Sequence, residues 1–246
     1  MINIIEENLV TLPCDLCGSY NEKMLYTKKG VLTGYPFKIV KCKSCGFIYI
    51  NPKLNEEGIN SLYNEDYYSG KGFDSYVDYI DDYYNDRESG FHLSILNEIR
   101  NYVQPPSKLL DFGCGLGNFL RLTLKAGYES VGYDVSEFAT NLGRKNGLNI
   151  LNNKNELPQN YYDIVIAIEV IEHAISPTET IYTIYDTLKK GGLFYYTTWN
   201  AFFFDLFAYF GIIKDNSYIC PEGHINFFTK VTVQSPFLDE AFFLKK

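Results

Sequence analysis

The hydrophobic pattern changes rhythm along the chain. Residues 37–41 and 47–50 alternate apolar and polar positions over a few residues each, which predicts short strands of a small hairpin sheet. Asn51 and Pro52 end that module. From 54 to 84 the segment is dense in tyrosine and acid, with Tyr63, Tyr67, Tyr68, Tyr76, Tyr79, Tyr83 and Tyr84. The spacing 76, 79, 83 fits one helical face. Packing on the domain that follows is one use for that face; a lid touching a ligand through Tyr67 or Tyr68 is another. Leu93, Leu96, Ile99, Tyr102 and Val103 predict an amphipathic helix over 91–103, stopped by Pro105 and Pro106. An apolar run then leads into Gly113, Gly115 and Gly117, followed by a helix, and a second strand is expected over 130–134.

Composition adds a frame. The chain has 246 residues, enough for one catalytic domain and a small appendage. Its 46% hydrophobic and 21% charged residues are ordinary globular usage. Thirty acids against 22 bases give a net charge of −8, which disfavours a surface built to neutralise nucleic-acid phosphates. The most apolar stretch, 201–213, is broken by Asp205 and Gly211 and is too short for a span of about 20 residues. The first ten residues carry Glu6 and Glu7 and no basic region, so a signal peptide is not expected. A reducing, cytoplasmic setting follows as the expectation, and there cysteines serve as metal ligands or packing residues.

Cys14 and Cys17, then Cys42 and Cys45, are two C-x-x-C pairs 24 residues apart, each followed by a glycine. The two-residue gap lets both thiolates of a pair face one ion, and the glycine tolerates the tight turn. This is the pattern of a zinc ribbon. Four thiolates close a tetrahedral shell, so the expected site is structural, with two disulfides as the alternative.

The stretch from Lys108 to Leu120 holds Asp111, Gly113, Cys114, Gly115 and Gly117. Glycines let backbone approach a ligand at the carboxyl end of a strand. A dinucleotide fingerprint would need a third glycine at 118, where Asn118 stands. An acid at 111 suits an ammonium group better than a pyrophosphate. Asp134 ends the second strand, where an acid can accept hydrogen bonds from both ribose hydroxyls. Four blocks in order (109–117, 131–136, 162–173 and 188–194) resemble the class I S-adenosylmethionine-dependent methyltransferases over roughly 93–229. The resemblance implies a Rossmann-like α/β fold, a mostly parallel sheet with helices on both faces. It implies that the 113–117 loop holds the methionine part of S-adenosylmethionine, with Asp111 near its amino group. Asp134 and Val135 would lie at the ribose, Asn153 and Lys154 at the adenine, and Ile168 and Glu169 at the amino-acid end. Cys114 is most simply a packing residue in the loop. A ribbon ahead of this fold resembles bacterial methyltransferases of sugar and surface-polysaccharide biosynthesis, implying a hydroxyl of a sugar or glycan precursor as acceptor; C- or N-methylation of a nucleotide-linked sugar, or a degenerate fold acting as a binding module, are the alternatives.

Methyl transfer to a hydroxyl also needs the proton removed, by a base or by a metal that lowers its pKa. Glu169, Glu172 and His173 stand at i, i+3 and i+4, and a helix starting near Glu169 would put them on one side. Their pattern resembles the E-x-x-E-H site of ubiquinone-pathway and small-RNA O-methyltransferases, which bind a divalent ion with a further histidine. His224 is the candidate for that histidine and Mg²⁺ for the ion. Relatives of the same pattern use the pair only to fix a loop, and His224, expected just before a helix, is alternatively a general base. The aromatic segment 199–219 lies where such folds insert an acceptor-binding element. Expected boundaries are 1–53 for the ribbon, 54–92 for a helical linker and 93–246 for the methyltransferase domain. Residues 238–243 resemble the end of the family's last helix, after which the final strand pair would be missing. Five strands and an exposed edge follow, open to a homodimer partner.

Overall fold

The computed structural model describes residues 8–73, 77–201, 219–229, 232 and 242–244. In chain order its elements begin with β1 (Leu9–Val10), β2 (Glu22–Lys29), β3 (Pro36–Cys42), β4 (Ile48–Ile50) and β5 (Lys53–Leu54). Helices α1 (Glu56–Asn60), α2 (Glu65–Tyr68), α3 (Tyr79–Tyr84) and α4 (Gly90–Ile99) follow. Then come β6 (Lys108–Phe112), α5 (Asn118–Lys125), β7 (Glu129–Tyr133), α6 (Glu137–Lys145), β8 (Ile150–Leu151) and β9 (Tyr162–Ile168). The series closes with α7 (Pro177–Thr187), β10 (Leu188–Thr197), β11 (Asn226–Phe227) and β12 (Phe242–Leu244). Among the described residues no helix is long and apolar enough to cross a membrane.

Two compact units divide the chain. Unit 1 gathers residues 1–62, 171–180 and 198–239; unit 2 gathers 63–170, 181–197 and 240–246. These units do not follow the expected boundaries, because 171–180 and 198–239 join the N-terminal module.

Unit 1 carries an antiparallel sheet in the order β11-β4-β3-β2. Strands β3 and β4 stand where apolar alternation placed them, with Phe37, Ile39, Ile48 and Ile50 fully buried and Lys38 exposed. The fourth strand, β11, comes from 180 residues downstream and pairs Asn226 with Tyr49. A two-residue strand with no apolar run of its own has no sequence signature; its partner recruits it.

Unit 2 carries a parallel sheet in the order β12-β10-β9-β6-β7-β8. Leu109, Ile164, Ile166 and Tyr195 of the strands pack with Ile95, Leu96 and Ile99 of α4 and Phe119 and Leu122 of α5. Each fully buried side chain of this size contributes about 1.5–3 kcal/mol. Helix α6 is written locally: Ser136 accepts the Ala139 N–H, Glu137 stands in the first turn, and Arg144 and Lys145 in the last. The sheet has six strands where five were expected. Residues 242–244 form a strand parallel to β10 instead of ending a helix.

Candidate functional site

The order of the sheet creates the site in unit 2. From β6 the chain passes to β7 on one side, while β9 returns on the other, so the crevice at their carboxyl ends is a topological switch point. The glycine loop leaves β6 there. Gly113, Gly115 and Gly117 have φ of 80°, 54° and 89°, the left-handed region. A Cβ on Gly113 would stand 2.4 Å from Val170 Cγ2, and one on Gly117 2.4 Å from Leu148 Cδ1. Both conformation and space therefore demand glycine. Gly113 and Cys114 donate their N–H groups to Tyr133 O at 2.7 and 3.0 Å, tying the loop to the end of β7. Gly117 opens α5 with no side-chain cap, so the first N–H groups of that helix face the loop without one.

Two acids line the loop. Asp134 Oδ2 accepts the Gly115 N–H at 2.7 Å and Oδ1 accepts the Ser136 N–H at 2.8 Å. Burial raises its pKa, against the pull of those two N–H groups. Asp111 is buried and lifted to about 8, first by burial and then by the Asp134 charge. Its Oδ2 has no hydrogen-bond partner among the described residues. A buried carboxyl oxygen left unsatisfied is costly. It fits a cationic amino group as its missing partner, as the methionine end of S-adenosylmethionine carries. The close backbone approach at three glycines fits the same group. Cys114 is a packing residue: burial raises its thiol, and a Cβ on Gly132 would stand 2.6 Å from Sγ.

The other expected cofactor residues are more open. Val135 is half exposed, Lys154 is exposed, and Asn153 Oδ1 caps a short turn by accepting the Asn155 N–H at 3.0 Å. Ile168 ends β9. Glu169 then turns the chain with φ of 52°, held where its N–H meets Thr197 O and Oγ1 at 3.2 and 3.1 Å. Positive φ on glutamate costs roughly 1 kcal/mol or more, and such strain gathers at functional sites.

That turn corrects one expectation. No helix begins near Glu169; 169–176 is a bend and a turn, and α7 starts at Pro177. The one-face geometry of Glu169, Glu172 and His173 is therefore absent. Glu169 belongs to unit 2, while Glu172, His173 and His224 belong to unit 1. Within unit 1 the rings of His173 and His224 lie 4.7 Å apart. His173 Nδ1 lies 3.0 Å from Gly223 O; a carbonyl only accepts, so Nδ1 carries the proton and Nε2 is left as an acceptor. Burial, helped by His224, pushes the His173 pKa down to about 3, so it stays neutral. His224 is followed by strand β11, and residue 232 beyond it is helical. Neighbouring Glu222 is buried, and its Oε1 accepts from Leu32 N–H, Thr33 N–H and Thr33 Oγ1 at 3.0–3.2 Å.

Sequence reasoning missed Asn226. Its Nδ2 donates to Ile171 O at 3.2 Å and Ala174 O at 2.6 Å, and the Ile225 and Asn226 N–H groups reach Glu172 O at 2.9 and 3.0 Å. No local pattern signals a clamp that acts across 50 residues. Ser136, the helix cap beside Asp134, was findable from the Asp-x-Ser spacing ahead of α6. The aromatic segment 199–219, expected either to be buried against the sheet or a second subunit or to cover an acceptor, lies mostly outside the described residues.

The four cysteines meet in unit 1. Their sulfurs all lie within 4.8 Å of one another, the only such group of possible ligands among the described residues. Cys14 and Cys45 stand 3.5 Å apart, as do Cys17 and Cys42. A disulfide needs about 2.05 Å, and all four are free thiols. Tetrahedral zinc with bonds of about 2.3 Å puts sulfurs roughly 3.8 Å apart, which this cluster fits. Burial works to raise Cys42, but the N–H groups of Cys45 and Ser44 outweigh it and bring its pKa to about 7.

The match of a methyltransferase-domain family model to residues 84–237 settles the class. The chain belongs to that family. Its curated relatives include ubiquinone biosynthesis O-methyltransferases. The one from Shewanella sp. (strain ANA-3) is 30% identical over 125 residues, covering 44% of this chain and 53% of the relative. The one from Proteus mirabilis (strain HI4320) is 28% identical over 123 residues, covering 43% and 50%. The chain thus spans about half the length of the curated relatives it matches. An S-adenosylmethionine-dependent methyltransferase structure from Mesorhizobium loti is 23% identical, covers 44% of this chain and 52% of its own, and has a TM-score of 0.38.

Proposed function

We propose that this methyltransferase-domain protein transfers the methyl group of S-adenosylmethionine to a hydroxyl of a small molecule. The observation that carries the reading is Asp111, a buried acid with one carboxyl oxygen left without a hydrogen bond, at the mouth of a loop that only glycine can form. The cofactor supplies an electrophilic methyl carbon. The chain's own residues would hold it: the 113–117 backbone and Asp111 at the methionine end, with Ile168 and Glu169 beside it, Asp134 and Val135 at the ribose, Asn153 and Lys154 at the adenine. In-line displacement places the attacking oxygen about 3 Å from that carbon, so positioning supplies much of the acceleration.

The hydroxyl proton goes to His224 in this reading. His173, its Nδ1–H fixed on Gly223 O, stays neutral beside it. Mg²⁺ in place of a base is the alternative, and EDTA decides: activity that collapses and returns with Mg²⁺ supports the ion, unchanged activity removes it. Names of the curated relatives favour O-methylation, and an intermediate of ubiquinone biosynthesis is the acceptor they suggest. A sugar or glycan precursor is the acceptor suggested by the ribbon ahead of the domain. Calorimetry with S-adenosylhomocysteine tests the cofactor reading, and absence of binding would sink it. Zinc in the four-cysteine site is part of the proposal. Elemental analysis should give one zinc per chain, lost in the Cys14→Ser, Cys17→Ser double variant.

A further inference from the structure

Within unit 2 the tyrosine segment crosses the helices that flank the glycine loop. Ser136, the cap of α6, donates its hydroxyl to Tyr63 O at 2.7 Å. Three side chains along α5, at 118, 121 and 125, hold the far end. Asn118 Nδ2 reaches Tyr79 O at 3.4 Å, Arg121 Nη1 reaches Tyr83 O at 2.7 Å, and Lys125 and Arg121 bind Asp86 at 2.8 and 2.9 Å. Between these anchors stands Tyr68, buried with Leu116 and Ala139 and stacked on Phe138 with ring centres 5.8 Å apart. A Cβ on Gly115 would stand 3.4 Å from Tyr68 Cε1 and 3.9 Å from its hydroxyl. The strap therefore delivers one phenol onto the glycine loop, beside the acid at the end of β7.

We propose that Tyr68 is a cofactor-binding residue whose hydroxyl completes the ribose site around Asp134. The proposal rests on the methyltransferase reading above. Each oxygen of Asp134 already accepts one backbone N–H, which leaves one further acceptor position on each for donors from the ligand or from Tyr68. Burial and the Asp134 charge hold the phenol well above its usual range, while a hydrogen bond with Ser136 pulls the other way, so Tyr68 stays protonated. Gly115 then has two constraints, its φ and the ring above it.

Calorimetry on the full chain tests this, with S-adenosylhomocysteine and 5′-methylthioadenosine as probes. The second keeps the ribose and adenine but lacks the amino-acid end. Tyr68→Phe keeps the ring and its packing and loses only the hydroxyl's hydrogen bond, so its melting temperature should fall by only about 2–4 °C. Both ligands should bind it about tenfold more weakly, the size of one lost hydrogen bond. Unchanged affinity for both would overturn the proposal. A loss for S-adenosylhomocysteine alone would move Tyr68 to the methionine end and overturn it as well. If the unmodified chain binds neither probe, the cofactor reading itself fails, a result distinct from failure of the variant. Tyr68→Leu should weaken both ligands further, since the stack on Phe138 goes too.

Discussion

The glycine loop of unit 2 and the turn at 171–174 of unit 1 both carry candidate chemistry on irregular backbone, yet they are held by opposite means. Inside the loop, three glycines within five residues supply the left-handed backbone, and two neighbouring acids satisfy or await its polar groups. The turn has no such local grammar. Its carbonyls are met by Ile225 and Asn226, more than 50 residues away. Local constraint makes the loop stiff toward substitution at single positions, whereas the turn depends on one distant side chain.

The largest expected effect tests the loop. Gly113→Val combines φ of 80° with a Cβ 2.4 Å from Val170, so stability should fall by about 3 kcal/mol or more. Affinity for S-adenosylhomocysteine should fall by about a hundredfold or more, read by calorimetry; a parent-like affinity would break the assignment of the loop to the cofactor. Next, Asn226→Leu leaves two buried carbonyls without their amide partner and should cost about 2–3 kcal/mol in denaturant unfolding. Its affinity for S-adenosylhomocysteine should stay within about twofold, which would separate the clamp from the loop.

Asp111→Asn probes the cost of the buried acid. In the fold its carboxyl is raised from 3.8 to about 8. Between those values the unfolded chain has released a proton that the folded chain retains, so stability falls as pH rises through that window. The asparagine variant should therefore melt higher than the parent at pH 8 and about equally at pH 4, while binding S-adenosylhomocysteine more weakly. A variant that melts lower at both pH values would contradict the unpartnered acid. The smallest effect belongs to Glu169→Gly, which relieves φ of 52° and should raise stability by roughly 1 kcal/mol. Loss of stability would mean that the Thr197 contacts need more than the backbone at 169.

Much of unit 2 was legible because its signals are consecutive. Apolar runs ending at Phe112 and Tyr133, glycines at 113, 115 and 117, and Ser136 ahead of α6 each encode a local shape. The cysteine pairs were legible for the same reason, since spacing alone turns two thiols toward one point. Spacing misled at Glu169. Three polar residues at i, i+3 and i+4 are neighbours only on a helix, and the Thr197 contacts hold the chain in a bend instead. Strand β12 stayed hidden because three residues at an edge carry too little pattern, and pairing with β10 creates them as a strand.

By itself the sequence determined the glycine loop, the acids at 111 and 134, and the pairing of four cysteines, because steric freedom, charge and short spacing act over a few bonds. Only the tertiary structure decided that one oxygen of Asp111 is left unsatisfied, that Tyr68 lies on Gly115, and that residues 171–180 and 198–239 gather with the N-terminal module. Those facts depend on which distant segments bury one another, and burial is a property of the packed chain rather than of any local stretch.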